Sequence, residues 1–409
     1  MNITIHRGAD QIGGCVTEIS TEKARIFIDL GADLTKDEKG AVSPVNIDGL
    51  TTGNAKGSVL LLTHYHCDHT GRLPQTLPEI PIYMGETARK INMVFSERMV
   101  KAKRLDKKYL EFLEKARTFK PADKLEFGNI KVTPIMIDHS AFDAYSFIIE
   151  ANGKKIFYTG DFRLHGPRGK IKVFEHYVKN IDYLICEGTN ISRTETAQTE
   201  SELQKEAIGL FRNPKHKYVF IFCPSTNIDR IFVFYKAYYE VFKGKKPFVC
   251  DSYQKKLLEI VKESHSKFSE FYDFDKIYSH RANYEKLNKW MNEKGFCRLI
   301  RSNDQDKKIV DEYFAKYQDE CLVIYSMWKG YLDESNKAKN EKLIDFFSSY
   351  PYKCLHTSGH ADVESLKKVV EVIKPKHIIP IHTEKPDEFK NLFENTILLE
   401  NGIVLYAVK

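Results

Sequence analysis

The sequence predicts a mixed α/β protein, a two-sheet core interrupted by an inserted α/β unit. Three observations predict it. Residues 1–195 are rich in short strands, residues 196–350 alternate helices with short apolar strands, and strand-like pieces return over 351–409. Alternation of the middle kind is the pattern of a parallel sheet covered by helices. At 409 residues the chain also exceeds what one hydrophobic core usually supports.

The elements follow in order. Ile3–Ile5, Cys15–Ser20, Arg25–Leu30 and Val59–Leu62 are short apolar stretches separated by glycines and polar turns, and read as strands. From Glu86 to about Arg117 the apolar residues Ile91, Val94, Phe95, Met99, Leu105, Tyr109, Leu110 and Leu113 recur at helical spacing, which predicts a helix. Asn152-Gly153 predicts a hairpin turn between Tyr145–Glu150 and Lys155–Thr159, and Tyr183–Cys186 reads as a buried strand. In the middle stretch the strands are Tyr218–Phe222, Phe248–Cys250 and Cys321–Tyr325, with helices from about Asn227 and Ser252. The closing stretch offers Lys353–Thr357, a helix carrying Leu366, Val369, Val370 and Ile373, then His377–Ile381 and Ile403–Val408.

Composition excludes several classes. Hydrophobic residues at 42% and charged residues at 29% are those of an ordinary soluble protein. No apolar run follows a basic start, and no run reaches the roughly 18 residues of a membrane span, so neither a secretory signal nor a membrane partner is expected. Eight scattered cysteines without a C-x-x-C pair predict free thiols and a cytoplasmic location rather than a zinc ribbon. The net charge is +7, and the segment from Arg89 to Lys120 alone holds 11 Lys/Arg against 4 Asp/Glu. That segment reads either as a solvated helix face or as a stripe that follows phosphates.

The strongest chemical signal is Thr63-His64-Tyr65-His66-Cys67-Asp68-His69-Thr70-Gly71, placed where a strand ends and a loop begins. Three imidazoles and a carboxylate buried without partners cost several kcal/mol. Imidazole nitrogen and carboxylate oxygen are the donors that zinc and its neighbours take. Along an extended loop, His64 and His66 can face one ion while Asp68 and His69 face a second. Cys67 sits at the variable position and reads as a non-ligand. His165, His176, His216, His265, His280, His356 and His377 have no matched context and read as structural.

Other residues at strand ends complete a pattern: Asp29 closing the strand Ile26–Leu30, His139 in Ile137-Asp138-His139-Ser140, and Asp161 in Tyr158-Thr159-Gly160-Asp161-Phe162-Arg163. In this order, with the His-rich loop, the chain resembles the metallo-β-lactamase superfamily. Thr357-Ser358-Gly359-His360-Ala361, Pro380-Ile381-His382-Thr383-Glu384, Glu187 in Ile185-Cys186-Glu187-Gly188-Thr189, and Pro224-Ser225-Thr226-Asn227-Ile228-Asp229-Arg230 are similar to segments of its β-CASP branch, which processes nucleic acids. Within that branch the resemblance is to ribonuclease J-like and cleavage-and-polyadenylation-type members. His382 stands where DNA-repair members carry an apolar residue, which favours RNA.

The resemblance implies a four-layer αββα sandwich (1–195 and 351–409) with an inserted β-CASP domain (196–350). It implies two divalent metal ions, zinc first and manganese second. His64, His66 and His139 are the ligands of one ion, Asp68, His69 and His382 of the other, and Asp161 bridges them. Asp29 orients ligands. The implied reaction is hydrolysis of single-stranded RNA by a metal-bridging hydroxide, leaving 5′-phosphate and 3′-hydroxyl ends, with Asp68, His360 and Glu187 as catalytic groups. Ser358, Ser225, Asn227 and Arg230 are candidate phosphate contacts. Tyr235, Tyr238, Tyr239, Phe271 and Tyr272 of the insert read as core packing more than base stacking. Two alternatives stay open: a small-molecule metallo-hydrolase of thioesterase or lactonase type, and a single-stranded DNA nuclease. The sequence leaves the oligomeric state open.

Overall fold

The computed structural model describes residues 1–34, 43–169, 171–264, 272–280 and 284–407. His265, Phe271 and Val408 lie outside the described residues. The chain divides into two compact units, Met1–Thr196 with Gly359–Lys409, and Ala197–Ser358.

The first unit holds two sheets. One contains β1 (Asn2–Arg7), β2 (Val16–Ser20), β3 (Arg25–Ile28), β4 (Ser58–Leu61), β5 (Ile82–Gly85), β6 (Arg117–Phe119) and β19 (Val404–Tyr406), in the order β19-β1-β2-β3-β4-β5-β6. The other contains β7 (Leu125–Phe127), β8 (Ile130–Ile137), β9 (Ala144–Ala151), β10 (Lys154–Tyr158), β11 (Tyr183–Glu187) and β18 (His377–Ile381), in the order β18-β11-β10-β9-β8-β7. The Asn152-Gly153 turn joins β9 to β10 with φ of 51° and 72°, the left-handed pair a two-residue hairpin requires.

Strand alternation sets the layers. Ile26, Ile28, Val59 and Leu61 of the first sheet meet Ile149, Ile156, Tyr158, Ile185 and Ile381 of the second in one core. The residues in between, such as Phe157, Leu184 and Ile378, face the other way and pack with Phe174, Leu366, Val369 and Phe389 of helices. On the first sheet, α2 (Glu86–Lys101) packs on β5 and β6. The result is helix, sheet, sheet, helix, as the resemblance implies. A short helix α1 (Cys67–Thr70) follows β4.

The second unit is built on one parallel sheet of β12 (Tyr218–Phe222), β13 (Phe248–Cys250), β14 (Ile277–Ser279), β15 (Phe296–Ile300), β16 (Cys321–Tyr325) and β17 (Tyr352–Cys354), in the order β14-β13-β15-β12-β16-β17. Its strands read as near-continuous apolar runs because helices cover both faces of such a sheet.

Two expectations are corrected. The helix over 86–117 is two helices, α2 and α3 (Lys107–Lys115), and Arg117 opens β6. Between the helices Lys103 takes a left-handed φ of 55°, and Asp106 caps α3 by accepting a hydrogen bond from Lys108 N at 2.8 Å. The segment 351–358, read as part of the closing stretch, belongs to the second unit, because β17 pairs in parallel with β16, Val323 opposite Tyr352.

Candidate metal centre

The His-rich loop leaves the C-terminal end of β4 and enters α1. It packs closely on the segment after β3: a Cβ on Gly31 would lie 1.6 Å from the Asp68 carbonyl oxygen, so only glycine fits there. Gly14 N and Ala32 N donate to the carbonyls of Asp68 and Cys67 at 3.1 and 3.0 Å. These contacts hold the loop so that its polar side chains turn towards the ends of β8, β10, β11 and β18.

Among the described residues three groups of ligand-type atoms converge in the first unit: His64, His66 and His139; Asp68, His69, Asp161 and His382; and Asp161, Glu187, His360 and His382. Within each group the atoms lie within 4.8 Å of one another. Asp161 is central. Its Oδ2 lies 3.0 Å from His69 Nε2, 3.8 Å from both His64 Nε2 and His382 Nε2, 4.0 Å from His139 Nε2, and 3.7 Å from His360 Nδ1. His382 Nε2 also lies 3.2 Å from Asp68 Oδ2.

The outer nitrogen of each of four rings has a partner. His69 Nδ1 donates to Asp29 Oδ2 at 2.8 Å, and His139 Nδ1 donates to the Gly359 carbonyl at 2.6 Å. His64 Nδ1 lies 3.0 Å from Thr63 Oγ1, and His382 Nδ1 lies 2.8 Å from Thr189 Oγ1. Such partners fix the tautomer and aim the other nitrogen, the arrangement typical around metal-ligating histidines. Among the described residues the inward nitrogen of His64, Nε2, is buried and has no hydrogen-bond partner. His139 Nε2 faces His66 Nδ1 at 3.1 Å. A buried nitrogen without a donor, and two ring nitrogens turned on each other, are a donor set that fits a divalent cation.

Electrostatics divides the cluster. Burial, together with neighbouring imidazoles, holds His64 and His139 well below the usual histidine range, and burial brings His66 to about 4. These three rings are neutral at pH 7, the form that binds a metal. For His69 burial opposes the charge, but the carboxylates of Asp161, Asp29 and Asp68 outweigh it and raise the ring. His360 behaves alike: burial works against it, and Glu187 and Asp161 bring it to about 9.

Glu187 closes this side. Its Oε1 accepts from Phe162 N at 3.0 Å and from Ala361 N at 3.3 Å, and its Oε2 lies 3.2 Å from His360 Nδ1. His360, 22% exposed, stacks on His382 with ring centroids 5.5 Å apart. Asp29 and His382 both take left-handed φ, 63° and 52°, unusual for non-glycine residues and found where a structure over-determines its site.

Asp29, His64, His66, Asp68, His69, His139, Asp161, Glu187, His360 and His382 thus come together in the first unit. Ser225, Asn227, Arg230 and Ser358 belong to the second. There Arg230 is 0% exposed, and its guanidinium donates to Glu200, Ser326 Oγ and the Thr357 carbonyl, so the phosphate contact expected of it is corrected to a buried ion pair. Asn227 caps the helix Ile228–Phe242, accepting from Arg230 N, and Ser225 Oγ accepts from Gln254. Cys67 is exposed. His216 and His280 spend a ring nitrogen on the Leu210 carbonyl and Asn288 Oδ1, and His377 lies against the Tyr183 ring. Tyr235, Tyr238 and Tyr272 are buried as expected, whereas Tyr239 is 42% exposed.

The sequence reading missed Thr63 and Thr189, whose hydroxyls hold ring nitrogens. Both stand within two residues of an expected site residue, at a strand end, and that adjacency is the signal that could have found them.

Two families match the sequence. One, described as a beta-lactamase superfamily domain, matches residues 24–217; the other, a Zn-dependent metallo-hydrolase RNA specificity domain, matches residues 352–400. Ribonuclease J of Helicobacter pylori (strain B128) is 24% identical over 404 residues, covering 94% of this chain and 56% of the relative. Ribonuclease J of Mycoplasma pneumoniae is 22% identical over 429 residues, covering 98% of this chain and 72% of the relative. The chain therefore spans little more than half the length of the Helicobacter relative. A crystal structure of a protein of unknown function from Enterococcus faecalis V583 shares the fold, with a TM-score of 0.72 at 21% identity and 99% of each chain covered. Among the described residues no helix is long and apolar enough to cross a membrane.

Proposed function

Because the chain belongs to the metallo-β-lactamase superfamily, in its β-CASP branch with ribonuclease J, we propose that it is a metal-dependent nuclease that hydrolyses single-stranded RNA. One observation carries this reading: Asp161 Oδ2 lies within 4.0 Å of a ring nitrogen from each of five histidines, among them the buried, unpartnered Nε2 of His64.

In this reading His64, His66 and His139 would hold one divalent ion and Asp68, His69 and His382 a second, with Asp161 shared between the two. Zinc is the first choice for this donor set and manganese the second. Such a pair supplies a water acidified to a pKa of about 7 and positive charge facing the phosphoryl oxygens. Asp29 and Thr63 keep His69 and His64 in the tautomers that leave Nε2 for the ion. Glu187 fixes His360 at Nδ1 and orients the ring to hold a phosphoryl oxygen or to pass a proton to the leaving 3′-oxygen. Products with 5′-phosphate and 3′-hydroxyl ends follow from attack by water.

The unit Ala197–Ser358 is assigned as the inserted β-CASP domain. A cytoplasmic site of action belongs to the same reading, supported by eight free cysteines, five of them buried.

The test is cleavage of a 5′-labelled single-stranded RNA, and a DNA of the same sequence, by wild type, Asp161→Ala and His360→Ala, with metal content measured on each. We expect RNA cleavage by wild type to fall by more than about a thousandfold in both variants, with metal lost only in Asp161→Ala. A wild type that holds its metals and cleaves neither polymer overturns the reading.

A further inference from the structure

We propose that the turn between α2 and α3 is a docking surface for the phosphate backbone of single-stranded RNA, outside the metal centre. The proposal rests on the nuclease reading above and adds where the rest of the substrate lies.

Nine of the eleven cations between Arg89 and Lys120 fall into two kinds. Arg89 donates to the carbonyls of Leu113 and Glu114 at 2.7 and 2.8 Å, tying α2 to α3. Lys90 and Lys120 both pair with Glu86, at 3.0 and 3.6 Å, and Arg117 donates to Tyr83 Oη at 2.8 Å. These four have work within the fold. Lys101, Lys103, Arg104, Lys107 and Lys108 make no ion pair: all five are exposed, and among the described residues none lies within ion-pair distance of a carboxylate, with Lys108 alone resting over a ring, that of Phe112 at 5.9 Å. The acid among them, Asp106, is turned to the first turn of α3, where it accepts from Lys108 N.

Five like charges over residues 101–108 repel one another, and the hairpin does not need them. Its fold is held by Arg89 and by buried Ile91, Val94, Phe112 and Leu113. Lys103 even stands at a left-handed φ of 55°, where glycine is the easier residue. Charge kept at such a position points to a polyanion. A single small anion meets one or two cations, whereas a nucleic-acid strand presents a phosphate at every nucleotide.

Position selects RNA over an acidic protein. Tyr109, next to Lys108, is buried and donates to Thr70 Oγ1 at 2.7 Å, and Thr70 follows His69. The first turn of α3, which carries Lys107 and Lys108, is thus tied to the metal loop, and in this proposal phosphates flanking the scissile one pass this turn.

The experiment uses the full chain and a variant carrying Lys101→Gln, Lys103→Gln, Arg104→Gln, Lys107→Gln and Lys108→Gln. Binding of a labelled 30-nucleotide RNA is measured without divalent metal between 50 and 200 mM salt, and cleavage of that RNA and of a 4-nucleotide RNA is measured with metal. We expect the variant to bind the long RNA about tenfold or more weakly at low salt, with a slope of log K against log salt shallower by about 3, since each lost phosphate contact on a single strand removes roughly 0.7. KM for the long RNA rises with it, while the short RNA is cleaved as before. Unchanged binding and slope overturn the proposal. So does an equal loss on both lengths with loss of metal, which makes the turn structural. Polyglutamate bound by wild type as tightly as RNA, and released by the same variant, assigns the surface to an acidic protein and also overturns it. A wild type that binds the long RNA through this turn but cleaves neither length supports the docking surface while sinking the nuclease reading.

Discussion

Each unit buries a cluster of charged side chains, and the two clusters differ in how their atoms are matched. In the second unit Nε, Nη1 and Nη2 of Arg230 each meet an acceptor on Glu200, Ser326 or Thr357, so donors and acceptors balance. In the first unit ring nitrogens of five histidines face Asp161 Oδ2, His66 Nδ1 faces His139 Nε2, and among the described residues His64 Nε2 has no hydrogen-bond partner. Buried polar atoms are nearly always paired. A balanced cluster is complete as it stands; one whose lone pairs converge is completed by a cation. Composition does not separate the two cases, since both are charged and both are buried. The direction of the donors does.

The comparison breaks first at Arg230. Arg230→Met leaves Glu200 buried without its partner and should cost about 3–5 kcal/mol of stability. Urea unfolding reads this directly, and metal content per folded chain should not change, because the second unit contributes no member to the three metal-type groups. A variant of wild-type stability would show that the matched cluster is not a structural element.

Asp29→Asn probes the other cluster from outside. The Asp29 carboxylate accepts from Thr63 N at 2.8 Å and from His69 Nδ1 at 2.8 Å, while the amide offers one acceptor and turns a donor towards the ring. His69 is then driven to the tautomer with its proton on the inward nitrogen. Metal binding should weaken by about 10–100-fold, measured by competition with a chelator. Affinity unchanged within twofold would mean that the outer partners do not set the rings.

What the sequence revealed follows the same physics. The His64–His69 loop was legible because its ligand types are contiguous and are costly to bury without a function. His139, Asp161, His360 and Glu187 stand far apart, and only a resemblance joined them; the sheets that bring them together are non-local. Arg230 was misread because an arginine after Ser225 and Asn227 at a helix start looks like a phosphate grip, while Glu200, its partner, lies thirty residues earlier with no local mark. The break between α2 and α3 was hidden for a related reason. Apolar spacing continues through it, and the turn is made by Lys103 at positive φ, without a glycine or proline to announce it. The displaced boundary near residue 351 has a parallel cause: β17 is three residues long, and pairing in parallel with β16 is decided by register in space.

The smallest expected effect tests whether the hairpin and the metal loop are one piece. Ser96 Oγ donates to Asn92 Oδ1, Asn92 Nδ2 to Tyr109 Oη, Tyr109 Oη to Thr70 Oγ1, and Thr70 Oγ1 to the His66 carbonyl, at 3.1, 3.2, 2.7 and 3.1 Å. This chain is balanced like the Arg230 cluster, yet it ends on a residue of the unbalanced one. Tyr109→Phe keeps the buried ring and removes the central hydroxyl, at a cost of about 1 kcal/mol. Because Asp29, Thr63, Thr189 and Gly359 still hold their rings, metal affinity should fall no more than about threefold, far less than for Asp29→Asn. A fall as large as that of Asp29→Asn would mean that α1 is set by the hairpin, and that the matched network supports the cage as directly as the carboxylate does.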